Sequence, residues 1–157
     1  MHRLKRLELM EVTGSSSGWE LLQHLTKLKE LSIYGCNDLT QLPESMRNLT
    51  SLERLGISSG TALTVLPEWI GQVSALRSLY IKNSPALQYL PQSIQRLTAL
   101  EELYIYGCPG LAFLGCTVQS NLIWRDEEHM CTEFVSIIVC ILKSTLSVTF
   151  LGLYCRE

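Results

Sequence analysis

The chain is poor in the residues that build reactive centres. Among its 157 residues there are only three histidines, His2, His24 and His129, and no C-x-x-C pair occurs. A zinc site takes four ligands at characteristic spacings, and His129-x-Cys131 alone supplies neither the number nor the spacing. Neither G-x-x-x-x-G-K-[ST] nor G-x-G-x-x-G is present, so no glycine-rich loop cradles a nucleotide phosphate. Nucleophilic catalysis requires a base held beside the nucleophile, and three histidines so far apart in the chain assemble no triad. No catalytic residue, cofactor or metal is therefore expected. A basic excess is lacking too. The formal charge is −2, which leaves no surplus to neutralise a phosphate backbone and argues against a nucleic-acid partner. The opening MHRLKRLELMEV holds no apolar run of signal-peptide length. The six cysteines, at 36, 108, 116, 131, 140 and 155, lack the dense spacing of small secreted scaffolds. Reduced thiols and a cytoplasmic location are the expectation.

What the chain has is a repeat. The stretch LTKLKELSIYGCNDLTQLPESMRN, from Leu25 to Asn48, returns in pattern at Leu49, Val73 and Leu97, each 24 residues on. Numbered from 1 within each copy, apolar residues recur at slots 1, 4, 7, 9, 15, 18 and 22, and Pro43, Pro67 and Pro91 share slot 19. Residues 1–24 fit the same register through Leu4, Leu7, Leu9 and Leu22. The fit then weakens at Ser15 and Gly18, where GSSSG reads as a flexible loop. A fixed period of this length is the mark of a stacked architecture in which neighbouring units bury a continuous core. Three regions follow: a degenerate first repeat over 1–24, repeats over 25–120, and a non-repeat apolar tail over 121–157.

Alternation along a strand turns slots 7 and 9 to one face and slots 6, 8 and 10 to the other. Leu31/Ile33, Leu55/Ile57, Leu79/Ile81 and Leu103/Ile105 are thus expected inside. Leu39, Leu42 and Met46, with their counterparts in later copies, fill the core from behind. The Leu-Pro-Glu/Gln step suits the first turn of a brief helix or 3₁₀ segment, where proline forfeits no hydrogen bond and a carboxylate meets the positive end of the backbone dipole.

The pattern L-x-x-L-x-I-x-x-C-x-x-L-x-x-L-P, carried by Leu28, Leu31, Ile33, Cys36, Leu39, Leu42 and Pro43, resembles the leucine-rich repeats of plant intracellular immune receptors of the nucleotide-binding type. The resemblance covers residues 1–114. It implies an α/β solenoid, with a curved open parallel sheet and short helical or 3₁₀ turns and loops on the convex side. It further implies a protein-binding role in defence. The partner would be a pathogen effector, a guarded host protein or the receptor's own nucleotide-binding domain, held in recognition or autoinhibition. In that family slot 12 holds a small or polar residue whose side chain bonds neighbouring backbone at the bend after the strand. Here the slot holds Val12, Cys36, Gly60, Ser84 and Cys108, and local loosening is expected at Val12 and Gly60.

On the exposed face slot 8 carries Glu8, Ser32, Gly56, Tyr80 and Tyr104, and slot 10 carries Met10, Tyr34, Ser58, Lys82 and Tyr106. Slot 6 carries Arg6, Glu30, Arg54, Ser78 and Glu102. Tyrosines with a nearby cation are the composition of binding hot spots, and Lys82 is placed to lie over a ring. The protein-binding candidates are Tyr34, Tyr80, Lys82, Tyr104 and Tyr106, with Glu30, Arg54 and Glu102 on the row beside them.

The tail runs through Phe134 to Cys155, long enough to span a bilayer if helical. Lys143 at its centre costs about 2.5–3.5 kcal/mol by insertion scales, and five serines and threonines dilute it further. Disordered, helical and membrane-associated readings all stand for it. A truncated or membrane-tethered product without a recognition role is the alternative to the binding module.

Overall fold

The computed structural model describes residues 4–13 and 17–111. Among them run five strands: β1 (Arg6–Met10), β2 (Glu30–Tyr34), β3 (Arg54–Ser58), β4 (Ser78–Lys82) and β5 (Glu102–Tyr106). They form one parallel sheet in sequence order. The register follows the repeat, so that Leu7, Leu31, Leu55, Leu79 and Leu103 stand side by side. Each crossover carries one 3₁₀ segment, at Ser17–His24, Glu44–Asn48, Glu68–Gln72 and Gln92–Arg96. This is the expected fold class, a solenoid with an open parallel sheet on one side and short turns on the other. The tail over 121–157, including the apolar stretch 134–155, lies outside the described residues. Within them no helix is long and apolar enough to cross a membrane.

The repeat explains its own packing. All eight inward strand residues of β2 to β5 are buried, and Leu28, Leu52, Leu76 and Leu100 close the core from the strand entry. From the turn side come Leu39, Leu42 and Met46, then Leu63, Leu66 and Ile70, then Leu87, Leu90 and Ile94. Leu7, Leu9 and Val12 of the first coil and Leu25 at the start of the second are only partly buried; among the described residues the first coil has a neighbour on one side.

Proline sits one residue earlier than the sequence pattern suggests. Pro43, Pro67 and Pro91 are extended caps, with φ of −62°, −71° and −67°, and the 3₁₀ segments open at the residue after them. Their carbonyls close the turns, accepting from Met46, Ile70 and Ile94 at 3.1 Å each. An i→i+3 bond of this kind needs the proline's acceptor and not a donor.

The first coil is better closed than its composition suggests. Residues 14–16 of the GSSSG loop lie outside the described residues, but the 3₁₀ segment that follows is eight residues long and buries Trp19 and Leu22. Trp19 occupies the slot filled by proline in later coils. Its indole Nε1 donates to the Thr13 carbonyl at 2.9 Å, and Ser45 Oγ donates to the Trp19 carbonyl at 2.6 Å.

Each strand ends on one left-handed residue, always at slot 11: Glu11, Gly35, Ser59, Asn83 and Gly107, with φ between 50° and 65°. Three of these five carry side chains that pay for the conformation with strain. An α-carbon substituent costs roughly 1–2 kcal/mol there. Gly35→Ala is accordingly expected to lower the unfolding free energy by about 1–2 kcal/mol. Ser59→Ala should change it little, because the strain is already present; urea denaturation of the pair checks both.

At slot 12 the side chain turns back on the strand. Cys36 Sγ, Ser84 Oγ and Cys108 Sγ point at the carbonyls of Tyr34, Lys82 and Tyr106, at 3.8, 3.3 and 3.5 Å. Gly60 has no such group, and its bend is closed by backbone bonds alone. Leu63 N–H still donates to the Gly60 carbonyl at 3.1 Å, and the preceding Ser59 N–H to the Lys82 carbonyl at 2.9 Å. Backbone bonds hold this bend, and the side chain only adds to them.

Candidate protein-binding face

The strand alternation turns slots 6, 8 and 10 outward, and the sheet register decides which of these side chains meet. Tyr80 and Tyr104 are direct partners on β4 and β5, as are Lys82 and Tyr106. The two rings lie 6.1 Å apart between centroids and are tilted by 44°, a geometry worth about 0.5–1.5 kcal/mol beyond area burial. Lys82 reaches diagonally, its Nζ 4.8 Å from the centroid of Tyr104, inside the range of a cation–π contact. Four of the candidate residues thus form one cluster, with Tyr106 exposed at its rim.

Glu102 belongs to the same cluster from the strand entry. Its carboxylate accepts from Ser78 Oγ at 3.0 Å and from the Tyr80 hydroxyl. A phenol that donates to a carboxylate favours its neutral form, so Glu102 raises the Tyr80 pKa above the ordinary tyrosine value, with partial burial acting in the same sense. The stability this contributes is complete below the free phenol pKa and is lost as pH rises through the raised folded value. Glu102→Ala is expected to bring Tyr80 ionisation to lower pH, read as phenolate absorbance by difference against Tyr80→Phe.

Glu30 and Arg54 are brought together, but with each other. Arg6 Nε lies 3.6 Å from Glu30 Oε2, and Arg54 Nη1 donates to Glu30 Oε1. Exposed pairs of this type contribute about 0–1 kcal/mol, so their effect is to fix side-chain direction. Tyr34 stands apart from the tyrosine cluster. Its register partners are Met10 and Ser58, and Ser58 in turn pairs with Lys82. Two strand spacings of about 4.8 Å separate it from Lys82. Met10 was not among the candidates, yet among the described residues it is the most exposed large apolar side chain, at 70%, and lies beside Tyr34 at 40%. The slot-10 alignment carries that signal, because it sets Met10 in the same outward row.

The remaining chemistry is quiet. Cys36 and Cys108 are free and buried, and burial pushes both thiols upward in pKa, which leaves them poor nucleophiles. Among the described residues no group of three His, Cys, Asp or Glu side chains is placed to hold a metal. Two depressions on the turn side share Glu20 and Glu44. They bring those carboxylates beside Arg47, Asn48 and the cap Pro43, with no histidine or thiol alongside.

Comparison with known proteins agrees with this architecture. Residues 27–49 match the Leucine Rich Repeat family. Among curated proteins none matches the chain. Among solved structures the chain is similar to a leucine-rich-repeat protein of Leptospira interrogans, with 26% identity and a TM-score of 0.55. That likeness covers 71% of this chain and 30% of the other. Repeats of this kind generally serve as scaffolds for protein–protein contact and are typically without enzymatic activity.

Proposed function

We propose that this leucine-rich-repeat stack is the recognition or autoinhibition surface of a plant intracellular immune receptor, acting in the cytoplasm through the outward face of its sheet. The observation that carries the binding part is the cluster of Tyr80, Tyr104 and Lys82 with Tyr106 at its rim. Tyrosine is a rigid anchor with a polar tip, and clustered aromatics beside a cation make hot spots. Mutual packing and the Glu102 bond hold the rings in place before a partner arrives, which reduces the ordering cost of binding. The immune-receptor part rests on the L-x-x-L-x-I-x-x-C-x-x-L-x-x-L-P pattern. Free, buried Cys36 and Cys108 suit a reducing compartment.

The partner is a protein: a pathogen effector, a guarded host protein or a nucleotide-binding domain of the receptor itself. The test is calorimetric titration of representatives of these three classes into the full chain. A binder is expected among them. Tyr80→Ala combined with Tyr104→Ala should weaken it by at least about a hundredfold, the range of a two-anchor hot spot, while the far-ultraviolet circular dichroism stays unchanged. Unchanged affinity in that variant overturns the site. The function is overturned if a folded chain binds none of the three.

A further inference from the structure

The outward rows of the sheet hold six charged side chains, Arg6, Glu8, Glu30, Arg54, Lys82 and Glu102. All but Lys82 are bonded within the stack. Arg6 Nε lies 3.3 Å from Glu8 Oε1 and 3.6 Å from Glu30 Oε2, Arg54 donates to Glu30, and Glu102 accepts from Ser78 and Tyr80. Lys82 is exposed and meets no carboxylate among the described residues; its contact is the Tyr104 ring, 4.8 Å from Nζ to the centroid. A ring face steers an ammonium without cancelling its charge. The register partners of Lys82, Ser58 and Tyr106, are uncharged.

The face beside Lys82 is low. On β3 the outward residues between it and Tyr34 are Gly56 and Ser58, with Ser32 next to Gly56 on β2. The fold does not require glycine at 56. The glycines with positive φ are Gly35 and Gly107, and a β-carbon on Gly56 would meet only the Ser32 side chain, Oγ at 3.6 Å and Cβ at 4.0 Å, an ordinary contact. Gly71 is the contrast, with backbone of the next coil in the way at 2.4 Å. Glycine weakens a strand interior, and where packing does not demand it, it marks a place that another backbone can approach closely. Tyr34 and the Tyr80–Lys82 edge stand on strands two spacings apart, about 10 Å, which leaves the width of one chain segment between them.

We infer that the protein partner lays an acidic segment over β3, with a carboxylate side chain of that segment on Lys82 and apolar neighbours of it against Tyr80 and Tyr104. The inference rests on the reading that this face binds protein, and adds the chemistry of what it binds. Charge decides the sign. The one cation of these rows without a carboxylate calls for one anion, whereas a basic segment would be repelled by Lys82 and would find Glu30 and Glu102 already engaged. A run of phosphates fits less well, because it takes several cations and Arg54 is committed to Glu30. A charge pair beside aromatic anchors sets register and partner choice more than it adds affinity.

Selection of short random peptides displayed on phage, with acidic and basic residues equally represented, against the full chain tests the inference. Retained peptides should be enriched in Asp and Glu. A synthetic copy of the most retained sequence should bind more weakly as salt shortens the screening length from about 10 to about 3 Å. Lys82→Met keeps the apolar stem over Tyr104 and removes the charge; it should weaken that peptide at least about tenfold, the worth of one hydrogen bond to a charged group. Lys82→Arg should retain it, and selection against Lys82→Glu should enrich Lys and Arg instead. Gly56→Leu, which raises the floor over β3, should weaken the peptide by a similar factor with the urea midpoint unchanged. The inference is overturned if no peptide is retained, if retained peptides lack acidic enrichment, or if Lys82→Met or a folded Gly56→Leu binds like the parent. The binding face itself still stands in the last two cases where Tyr80→Ala with Tyr104→Ala abolishes peptide binding. Peptide affinity that survives the tyrosine pair overturns the face and the inference together.

Discussion

Leu79→Ala should lower the unfolding free energy by about 3–5 kcal/mol, the upper part of the range for a fully buried leucine cut back to its β-carbon. Leu79 has no exposed surface and stands between Leu55 and Leu103, with core on every side. The stack cannot collapse around the void, because each strand is pinned by ladders to both neighbours. In a solenoid the stability is close to a sum of repeat and nearest-neighbour terms, and this one substitution weakens two interfaces at once. Urea unfolding followed by circular dichroism should show an earlier and broader transition, with the coils on the two sides beginning to separate. The same cut at Leu7, which is only partly buried at the end of the stack, should cost less, since less area is lost and the surroundings can close over the void. Equal losses at the two positions would mean that the first coil is packed as tightly as the middle.

Gly71→Ala is expected to cost about 3 kcal/mol, at the upper end for overpacking, from the addition of one methyl group. Gly71 lies in the segment Glu68–Gln72, and a β-carbon there would stand 2.4 Å from the Ser93 carbonyl oxygen and 2.7 Å from its Cβ. The obstacle is mainly backbone of the next 3₁₀ segment, which cannot rotate away like a side-chain end. Separation of the two segments would also stretch the bond from Ser93 N–H to Glu68 Oε2, now 3.1 Å. Serine at 71 should be at least as harmful as alanine. Full stability of Gly71→Ala in urea would refute the close approach.

The core was legible because its signal is redundant: each buried leucine recurs at a 24-residue step, and the register of the sheet repeats that step. The tyrosine cluster followed from the same alignment, since placing two residues in one outward slot on adjacent strands is enough to make them neighbours. Three features escaped for identifiable reasons. The left-handed position at slot 11 holds five residues of four kinds, two of them glycine, so no single residue type marks it. Trp19 sits in a stretch whose serines and glycines read as loop, and its burial depends on the Thr13 carbonyl and on Ser45 of the next coil. Glu30, Arg54 and Glu102 were placed on the outward row by the alignment, but their bonding partners were not. Those partners lie across the sheet, in Arg6, Ser78 and Tyr80, and side-chain direction, which the alignment does not carry, decides the bonds.

The constant register also bears on how the chain reaches this state. The bonds between strands join neighbouring coils, so no segment has to find a distant part of the sequence. Folding can start at any adjacent pair of coils and advance one coil at a time, each step closing a loop of similar length. Among the described residues the middle coils have two partners each and are the natural starting point, whereas β1 has one, over half-covered leucines.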